Sequence, residues 1–259
     1  MRILFVGDVV GKPGMRAAVD LIPKLRDEHR ADAVVVNCEN AVGGRGVSPE
    51  IADELLRLGV DVLTGGNHIW RLREIDEYLE LESRLLRPAN YPKAPGSGVY
   101  QTTLACGVRL AVIHVEGRVF MRDLECPFAA IESALDEVRS AQVVFVDVHA
   151  EATSEKQALA WHFDGRISAL VGTHTHVQTA DERVLPRGTA YLTDSGMTGP
   201  HDSVIGMDSR ASIEGFLTQR FKGHRVASGN TILCGAIIDV DEKTGRARSI
   251  ERVRVPFDS

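Results

Sequence analysis

Residues 2–8, RILFVGD, combine a short apolar run with a glycine and a carboxylate that end it. The apolar runs at 33–36 and 60–64 follow the same plan, and each leads into polar residues and then a helical segment. A strand, a loop and a helix in repeated order predict parallel strands joined by right-handed crossovers and covered by helices. In such sheets the functional groups collect outside the carboxyl ends of the strands. This half of the chain therefore predicts both an α/β fold and the edge where a site should lie.

Helical segments are predicted after each of these strands. Residues 15–29 have the helical spacing of apolar residues, with a loop before them at 11–14 and a kink or break at Pro23. Ser48 and Pro49 are a typical N-cap and first helical residue. Residues 69–86 are predicted to be mostly helical, with one highly charged face.

The second half of the chain has a mixed pattern. A β-hairpin is predicted at 98–104 and 108–115, and the apolar runs 143–148 and 167–171 predict buried strands. Further strands are expected at 177–178, 189–193, 231–240 and 250–255. Residues 116–127 form a loop with apolar side chains, which we interpret as a lid over a site. The simplest architecture is one domain, residues 1–259, of two mixed β-sheets packed face to face with helices on both outer faces.

Composition narrows the class of protein. The chain has 259 residues, 44% of them hydrophobic, which suffices for one domain with a substantial core. The formal net charge of -6 lacks the basic footprint of nucleic-acid-binding proteins, so DNA is not an expected partner. The four cysteines are far apart and are interpreted as reduced thiols. Neither a signal peptide nor a membrane-spanning run is recognisable, and we expect a soluble, cytoplasmic protein without a membrane partner.

Several strand ends carry side chains that bind metal ions. Two carboxylates, two amides and four imidazoles are involved: Asp8, Glu39, Asn40, Asn67, His68, His149, His174 and His176. One ion is satisfied by three or four such groups, so this set suffices for two ions that share a bridging carboxylate. Oxygen ligands mixed with imidazole suit Mn, Fe or Zn better than Ca or Mg. The pattern thus predicts a metal site with two ions.

Each of these residues also has an ordinary interpretation when taken alone. Asp8 is a normal helix cap or turn residue, and two histidines in a polar loop such as 172–176 are often structural. His149 is the hardest to explain this way, because it ends a run apolar enough to be buried. Their shared position at strand ends favours the site. His29, His162 and His224 are treated as background, and His114 is expected in a core or supporting role. His201 belongs to the loop 194–208, which we interpret as orienting the substrate, with a solvated loop as the alternative.

The motifs occur in an order that resembles the calcineurin-like metallophosphoesterases. Gly-Asp at 7–8, an acid after the second strand, Gly-Asn-His at 66–68, the distant His149 and GTHTH at 172–176 follow that family's order. Two departures exist: Val10 stands where the family has a histidine, and Glu39 replaces the usual bridging aspartate. Both departures are similar to one bacterial branch, the YmdB-type 2′,3′-cyclic-nucleotide phosphodiesterases.

This resemblance implies a four-layer metallophosphoesterase fold and two divalent transition metal ions, Fe or Mn first and Zn as an alternative. The first ion would be held by Asp8, Glu39, Asn40 and His176, with Asn40 in the place of the missing histidine. The second would be held by Glu39, Asn67, His149 and His174, with Glu39 bridging. The family keeps its proton donor to the leaving oxygen at the position of His68.

The activity implied by the resemblance is hydrolysis of a phosphodiester. A hydroxide bridging the two metals would attack phosphorus, and His68 would protonate the leaving oxygen. The expected substrate is a 2′,3′-cyclic nucleotide, or the end of an RNA with a related phosphodiester; a homo-oligomer is compatible with the sequence. Two alternatives stay open: a phosphomonoesterase or protein phosphatase with the same two metals, and a metal-stabilised regulator that binds RNA or a partner protein without turnover.

Overall fold

The computed structural model describes residues 1–220, 223 and 225–257. The strands, in chain order, are β1 (Arg2–Val6), β2 (Ala33–Asn37), β3 (Val62–Thr64), β4 (Leu85–Leu86), β5 (Val99–Thr103), β6 (Arg109–Glu116), β7 (Val143–His149), β8 (Ala169–Thr173), β9 (Arg183–Val184), β10 (Ala190–Leu192), β11 (Gly199–Pro200), β12 (Thr231–Val240) and β13 (Ala247–Phe257). The α-helices are α1 (Gly11–His29), α2 (Pro49–Arg57), α3 (Ile75–Leu81), α4 (Pro127–Glu137), α5 (Thr153–Phe163) and α6 (Ser209–Thr218).

The strands form two mixed sheets. In the first sheet, β1, β2, β3 and β4 are parallel neighbours, β12 pairs antiparallel with β1, and β11 and β13 both pair with β12. In the second, β6, β7, β8 and β10 run parallel, with β5 and β9 antiparallel at the edges. The parallel strands of each sheet therefore end at a common edge.

Alternation along each strand divides its side chains between two layers. Ile3 and Phe5 of β1 point into the core between the sheets, whereas Leu4 and Val6 join the core under the helices. Across the sandwich, the rings of Phe5 and Phe145 lie 5.1 Å apart. Because both faces of β1 are covered from Ile3 to Val6, its sequence there is continuously apolar.

Helices cover the outer face of each sheet. Ile22 of α1 and Leu55 of α2 are fully buried against the first sheet. Leu159 and Phe163 of α5 are fully buried against the second. The predicted sandwich of two mixed sheets with helices on both outer faces is confirmed.

Helix α1 begins earlier than predicted. The segment interpreted as a loop, 11–14, is its first turn, and Gly11 has a φ of 58° there. Pro13 fits this turn because the first N–H groups of a helix have no partner within the helix. Pro23 lies inside α1 without dividing it.

Two other predicted elements were wrong. Residues 69–86 contain a short 3₁₀ helix (Ile69–Arg71), α3 and then β4, because Leu85 and Leu86 are fully buried as the next strand beside β3. The strand expected at 177–178 is absent from the described strands. Instead, the Gln178 amide donates hydrogen bonds to the carbonyl oxygens of Gly235 and Val253. None of the described helices is both long and apolar enough to cross a membrane.

Candidate functional site

The structure brings all eight predicted site residues together at the carboxyl ends of parallel strands in the two sheets. Hydrogen bonds and close contacts join them into one cluster. Five strands of the two sheets supply them, and the residues are Asp8 after β1, Glu39 and Asn40 after β2, Asn67 and His68 after β3, His149 at the end of β7, and His174 and His176 after β8.

Glu39 is the centre of the cluster. Its side chain is 1% exposed, and Oε1 lies 3.1 Å from Nε2 of His149. Oε2 accepts a hydrogen bond from the backbone N–H of His68 at 2.9 Å, and the Asn40 amide donates to Oε1 at 3.1 Å. One carboxylate thus contacts residues from three different strand ends.

A first group of ligand-type atoms lies on one side of Glu39. Nε2 of His149 is 3.0 Å from Oδ1 of Asn67 and 3.0 Å from Nδ1 of His174. The ligand atoms of Glu39, His149 and His174 all lie within 4.8 Å of one another. A carboxylate, an amide oxygen and two imidazoles in so small a space are a donor set suited to one transition metal ion.

A second group lies on the other side, around Asp8. Nε2 of His176 is 3.8 Å from Oδ1 of Asp8 and 3.1 Å from Nδ2 of Asn40. Oδ1 of Asp8 is buried and has no hydrogen-bond partner among the described residues. A buried carboxylate oxygen is costly to leave unpaired, so its orientation toward His176 and His149 fits a bound cation.

The amide of Asn40 is oriented by His68. Its Oδ1 lies 2.9 Å from Nδ1 of His68, and its Nδ2 faces Glu39 and His176. Coordination of a metal on the His176 side would require the amide to rotate by about half a turn, which exchanges oxygen and nitrogen. Asn40 is therefore in the right place for the predicted role, in an orientation that a metal ion would reverse.

The turn after β8 directs its two histidines in different directions. His174 and His176 both have positive φ values, 98° and 66°, which non-glycine residues rarely adopt. Between them, Thr175 donates to Oδ2 of Asp194 through its backbone N–H at 3.1 Å and its hydroxyl at 2.8 Å. His174 consequently contacts His149, whereas His176 faces Asp8 and Asn40.

A buried ion pair supports this turn. Nζ of Lys156 lies 2.8 Å from Oδ2 of Asp194, and it also donates to the carbonyl oxygen of Thr173 at 2.8 Å. Both charged side chains are fully buried. The pair therefore holds the backbone on both sides of His174.

Replacing Lys156 by Met should destabilise the fold by about 3–5 kcal/mol, because it leaves the buried charge of Asp194 without its cation. Urea denaturation would measure the loss. Lys243→Met, at an exposed position, is the matched control and should change the free energy of unfolding by less than about 0.5 kcal/mol. A loss below about 1 kcal/mol for the Lys156 variant would mean that the pair does not support the turn.

A second line of contacts orients His149. Its Nδ1 lies 2.9 Å from the hydroxyl oxygen of Thr173, and that hydroxyl donates to Oδ1 of Asp147 at 2.8 Å. The hydroxyl therefore accepts a hydrogen bond from Nδ1 and extends the hydrogen-bond chain to a buried carboxylate. Supporting contacts of this kind fix the ring orientation of metal-binding histidines and keep Nε2 directed at the site.

The electrostatics of the cluster fit a site for cations. Burial opposes ionisation of Glu39, but His149 and His68 outweigh it and hold the pKa of that carboxyl well below its usual range. Burial also opposes the charge on His149, yet Glu39 raises its pKa to about 9. Burial and the charge of His149 lower the pKa of His174 to about 3. Without a metal ion, the imidazolium of His149 thus balances Glu39, and a bound cation would replace its proton.

Because Gly66 has no side chain, the side chains of Glu39 and His149 can occupy the space beside its Cα atom. A Cβ atom at this position would overlap Oε2 of Glu39 and lie 2.6 Å from Nε2 of His149. The φ of Gly66 is not in the left-handed region, so the glycine is required by space and not by backbone conformation.

Asp147, Lys156 and Asp194, which support the site, are not among the residues predicted from the sequence. Asp147 had a usable signal, since it is a charge inside the apolar run of β7, but the Lys156–Asp194 pair joins residues 38 positions apart. His114 was expected in a core or supporting role, and it is fully buried with Nδ1 3.4 Å from Oδ2 of Asp147. His224 lies outside the described residues.

Comparison with known proteins agrees with this architecture. A family model described as YmdB-like protein matches residues 4–253. The 2′,3′-cyclic-nucleotide 2′-phosphodiesterase of Bacillus subtilis (strain 168) is 46% identical over 260 residues, covering 100% of this chain and 98% of that protein. The crystal structure of a hypothetical protein from Thermus thermophilus is 42% identical, with a TM-score of 0.93 over 99% of each chain. That of a novel phosphatase from Mycoplasma pneumoniae is 32% identical, with a TM-score of 0.92 over 99% of this chain and 93% of that one.

Proposed function

The chain belongs to the YmdB-like protein family, and we propose from this premise that it is a phosphoric ester hydrolase, a phosphodiesterase with two metal ions. Its proposed substrate is a 2′,3′-cyclic nucleotide or an RNA end with a related phosphodiester. The observation that supports this most strongly is the convergence of two groups of ligand-type atoms on the buried carboxylate of Glu39. We further propose a single catalytic domain over residues 1–259 that acts in the cytoplasm, with neither DNA nor a membrane as partner.

The two groups of atoms correspond to two proposed cation sites. One ion would be held by Asp8, Glu39, Asn40 and His176, and the other by Glu39, Asn67, His149 and His174. Mixed carboxylate, amide and imidazole ligands favour Fe or Mn, with Zn as an alternative. Divalent cations held here would act as Lewis acids, which polarise phosphoryl oxygens and make water a stronger acid.

His68 is the proposed proton donor to the leaving oxygen. Its backbone N–H is fixed on Glu39 and its Nδ1 is 2.9 Å from Oδ1 of Asn40, while 29% of the side chain remains exposed. When both ring nitrogens carry a proton, Nδ1 has Oε1 of Glu39 as an acceptor at 3.4 Å whichever way the Asn40 amide is turned, and Nε2 is left to donate to the substrate. Breaking the phosphorus–oxygen bond leaves an alkoxide on the sugar, and the proton from Nε2 neutralises it.

A panel of phosphoesters tests this function. The enzyme should have its highest kcat/KM on 2′,3′-cyclic AMP, when this is compared with 3′,5′-cyclic AMP, p-nitrophenyl phosphate and bis(p-nitrophenyl) phosphate. A preference for the p-nitrophenyl monoester would instead support a phosphomonoesterase. Binding of two ions without turnover of any ester would support the alternative of a metal-stabilised regulator that binds RNA or a partner protein.

A further inference from the structure

A small cavity opens beside the ligand-type atoms of the second proposed metal. Its volume is about 230 Å³, and it is lined by Asn67, Glu116, Phe120, Met121, Arg122 and His174. Pockets that enclose a whole small-molecule ligand are usually about 300–1,000 Å³. This cavity is therefore suited to one part of a ligand whose phosphate lies at Asn67 and His174.

Phe120 occupies an unfavourable position on the rim of this cavity. Its side chain is 87% exposed, so the ring contributes almost nothing to the core. It is also the third residue of a turn closed by the hydrogen bond from Met121 N–H to the Arg118 carbonyl, and its φ is 62°. Glycine or asparagine is preferred at such a position. Neither local conformation nor burial thus explains a phenylalanine here.

The turn that presents Phe120 is firmly anchored. The backbone N–H groups of Arg118 and Val119 donate to the carboxylate of Glu155, a side chain that is itself buried. One residue earlier, the N–H of Gly117 donates to the carbonyl oxygen of His149 at 3.0 Å. The loop is therefore tied directly to a proposed metal-binding residue, which holds the exposed ring at a defined place next to the site.

Glu116 gives a second and independent sign of a ligand in the same cavity. The side chain is fully buried, and its Oε2 accepts a hydrogen bond from the Tyr91 hydroxyl at 2.9 Å. Its Oε1 is also buried but has no hydrogen-bond partner among the described residues. A buried acceptor of this kind normally has a partner, and a donor group on a bound ligand would provide one.

We propose that Phe120 is the platform on which the nucleobase of the substrate stacks, while Oε1 of Glu116 accepts a hydrogen bond from the same nucleoside. This inference rests on the proposed function, since it takes the ligand to be a nucleotide. Aromatic side chains stack on any base, because every base has a π-face. The enzyme should therefore distinguish a nucleotide from a base-free sugar phosphate, with little preference among the bases.

Ligand affinity tests the proposal without relying on turnover. Calorimetry on the manganese-loaded protein would compare 3′-AMP with methyl ribofuranoside 3-phosphate, which has the same sugar phosphate and no base. The wild type should bind 3′-AMP about tenfold more tightly, which is about 1.4 kcal/mol. This ratio should fall to about one in Phe120→Ala and Phe120→Gly and persist in Phe120→Trp. An unchanged ratio in the first two variants would overturn the proposal, as would equal affinities in the wild type.

Thermal stability separates stacking from a structural role. Phe120→Gly should keep or raise the Tm, because glycine suits a positive φ better than phenylalanine does. Leu81→Ala removes another exposed side chain, remote in sequence from the cavity, and should leave the affinity ratio unchanged. A marked fall of Tm in Phe120→Gly would contradict the proposal, since it would show that the ring supports the fold.

The two proposals fail in different ways. Turnover of 2′,3′-cyclic AMP would be measured on the same wild-type sample. A tenfold preference for 3′-AMP without turnover would refute the proposed function and retain the stacking role of Phe120. Turnover with equal affinities for 3′-AMP and methyl ribofuranoside 3-phosphate would retain the proposed function and refute the stacking role of Phe120.

Discussion

Glu39→Gln is expected to lower kcat for 2′,3′-cyclic AMP by about a thousandfold or more. The substitution keeps the shape of a side chain that is 1% exposed, but it removes the negative charge that two cations would share. It also removes the charge that His149 and His68 face at 3.1 and 3.4 Å. Steady-state kinetics with saturating manganese would measure the effect.

Glu80→Gln is the matched control for this variant. Glu80 is an exposed residue of α3, and its replacement should leave kcat unchanged. Glu39→Gln with the activity of the control would show that the carboxylate does not take part in catalysis. The bridging role proposed for it would then have to be abandoned.

Gly66→Ala should lower activity by at least about a hundredfold, with loss of bound metal. The added methyl group overlaps Oε2 of Glu39 and comes within 2.6 Å of Nε2 of His149, so one of these groups must move. A displacement of about 1 Å at a catalytic group is enough for a loss of this size. Kinetics and metal analysis of the purified variant would report both effects.

A glycine with free space around it provides the comparison. At Gly43 no described atom lies within 4 Å of the added Cβ, although its φ of 56° makes Ala unfavourable by about 1–2 kcal/mol. Gly43→Ala should therefore lose some stability and keep its metal. If Gly66→Ala retained full metal content and turnover, the tight packing at Gly66 would have no functional meaning.

Sequence periodicity was sufficient for the architecture because burial on both faces leaves a strong pattern. The apolar runs of β1 and β2 are of the length typical of strands covered on both faces. The end of the predicted helix at 69–86 could not be located, since Leu85 and Leu86 become a strand only through pairing with β3. The start of α1 was missed because Gly11 and Pro13, which usually indicate a loop, are also compatible with a first helical turn.

The predicted family membership is confirmed. The eight residues proposed for the site lie in one cluster, as their shared position at strand ends predicts. Contacts between distant segments could not be predicted in the same way. Lys156 and Asp194 form a pair that no local pattern indicates, and the chain from His149 through Thr173 to Asp147 depends on the register of neighbouring strands. The orientation of the Asn40 amide is equally invisible in a sequence, since it depends on which atoms surround it.

The directions of His174 and His176 are another feature that the sequence does not specify. Their spacing predicts two side chains near one place, and the motif order assigns them to different ions. In the structure their backbone conformations direct His174 to His149 at 3.0 Å and His176 to Asn40 at 3.1 Å. This separation is consistent with the two ligand sets proposed for the two metals.

The number of metal ions bound per chain tests the central claim most directly. Elemental analysis of protein equilibrated with manganese and freed of excess metal should give two ions in the wild type. His174→Ala and His176→Ala should each retain one, because each is proposed to remove a ligand from a different ion. A wild-type protein that turns over 2′,3′-cyclic AMP with one ion, or with none, would contradict the two-metal account.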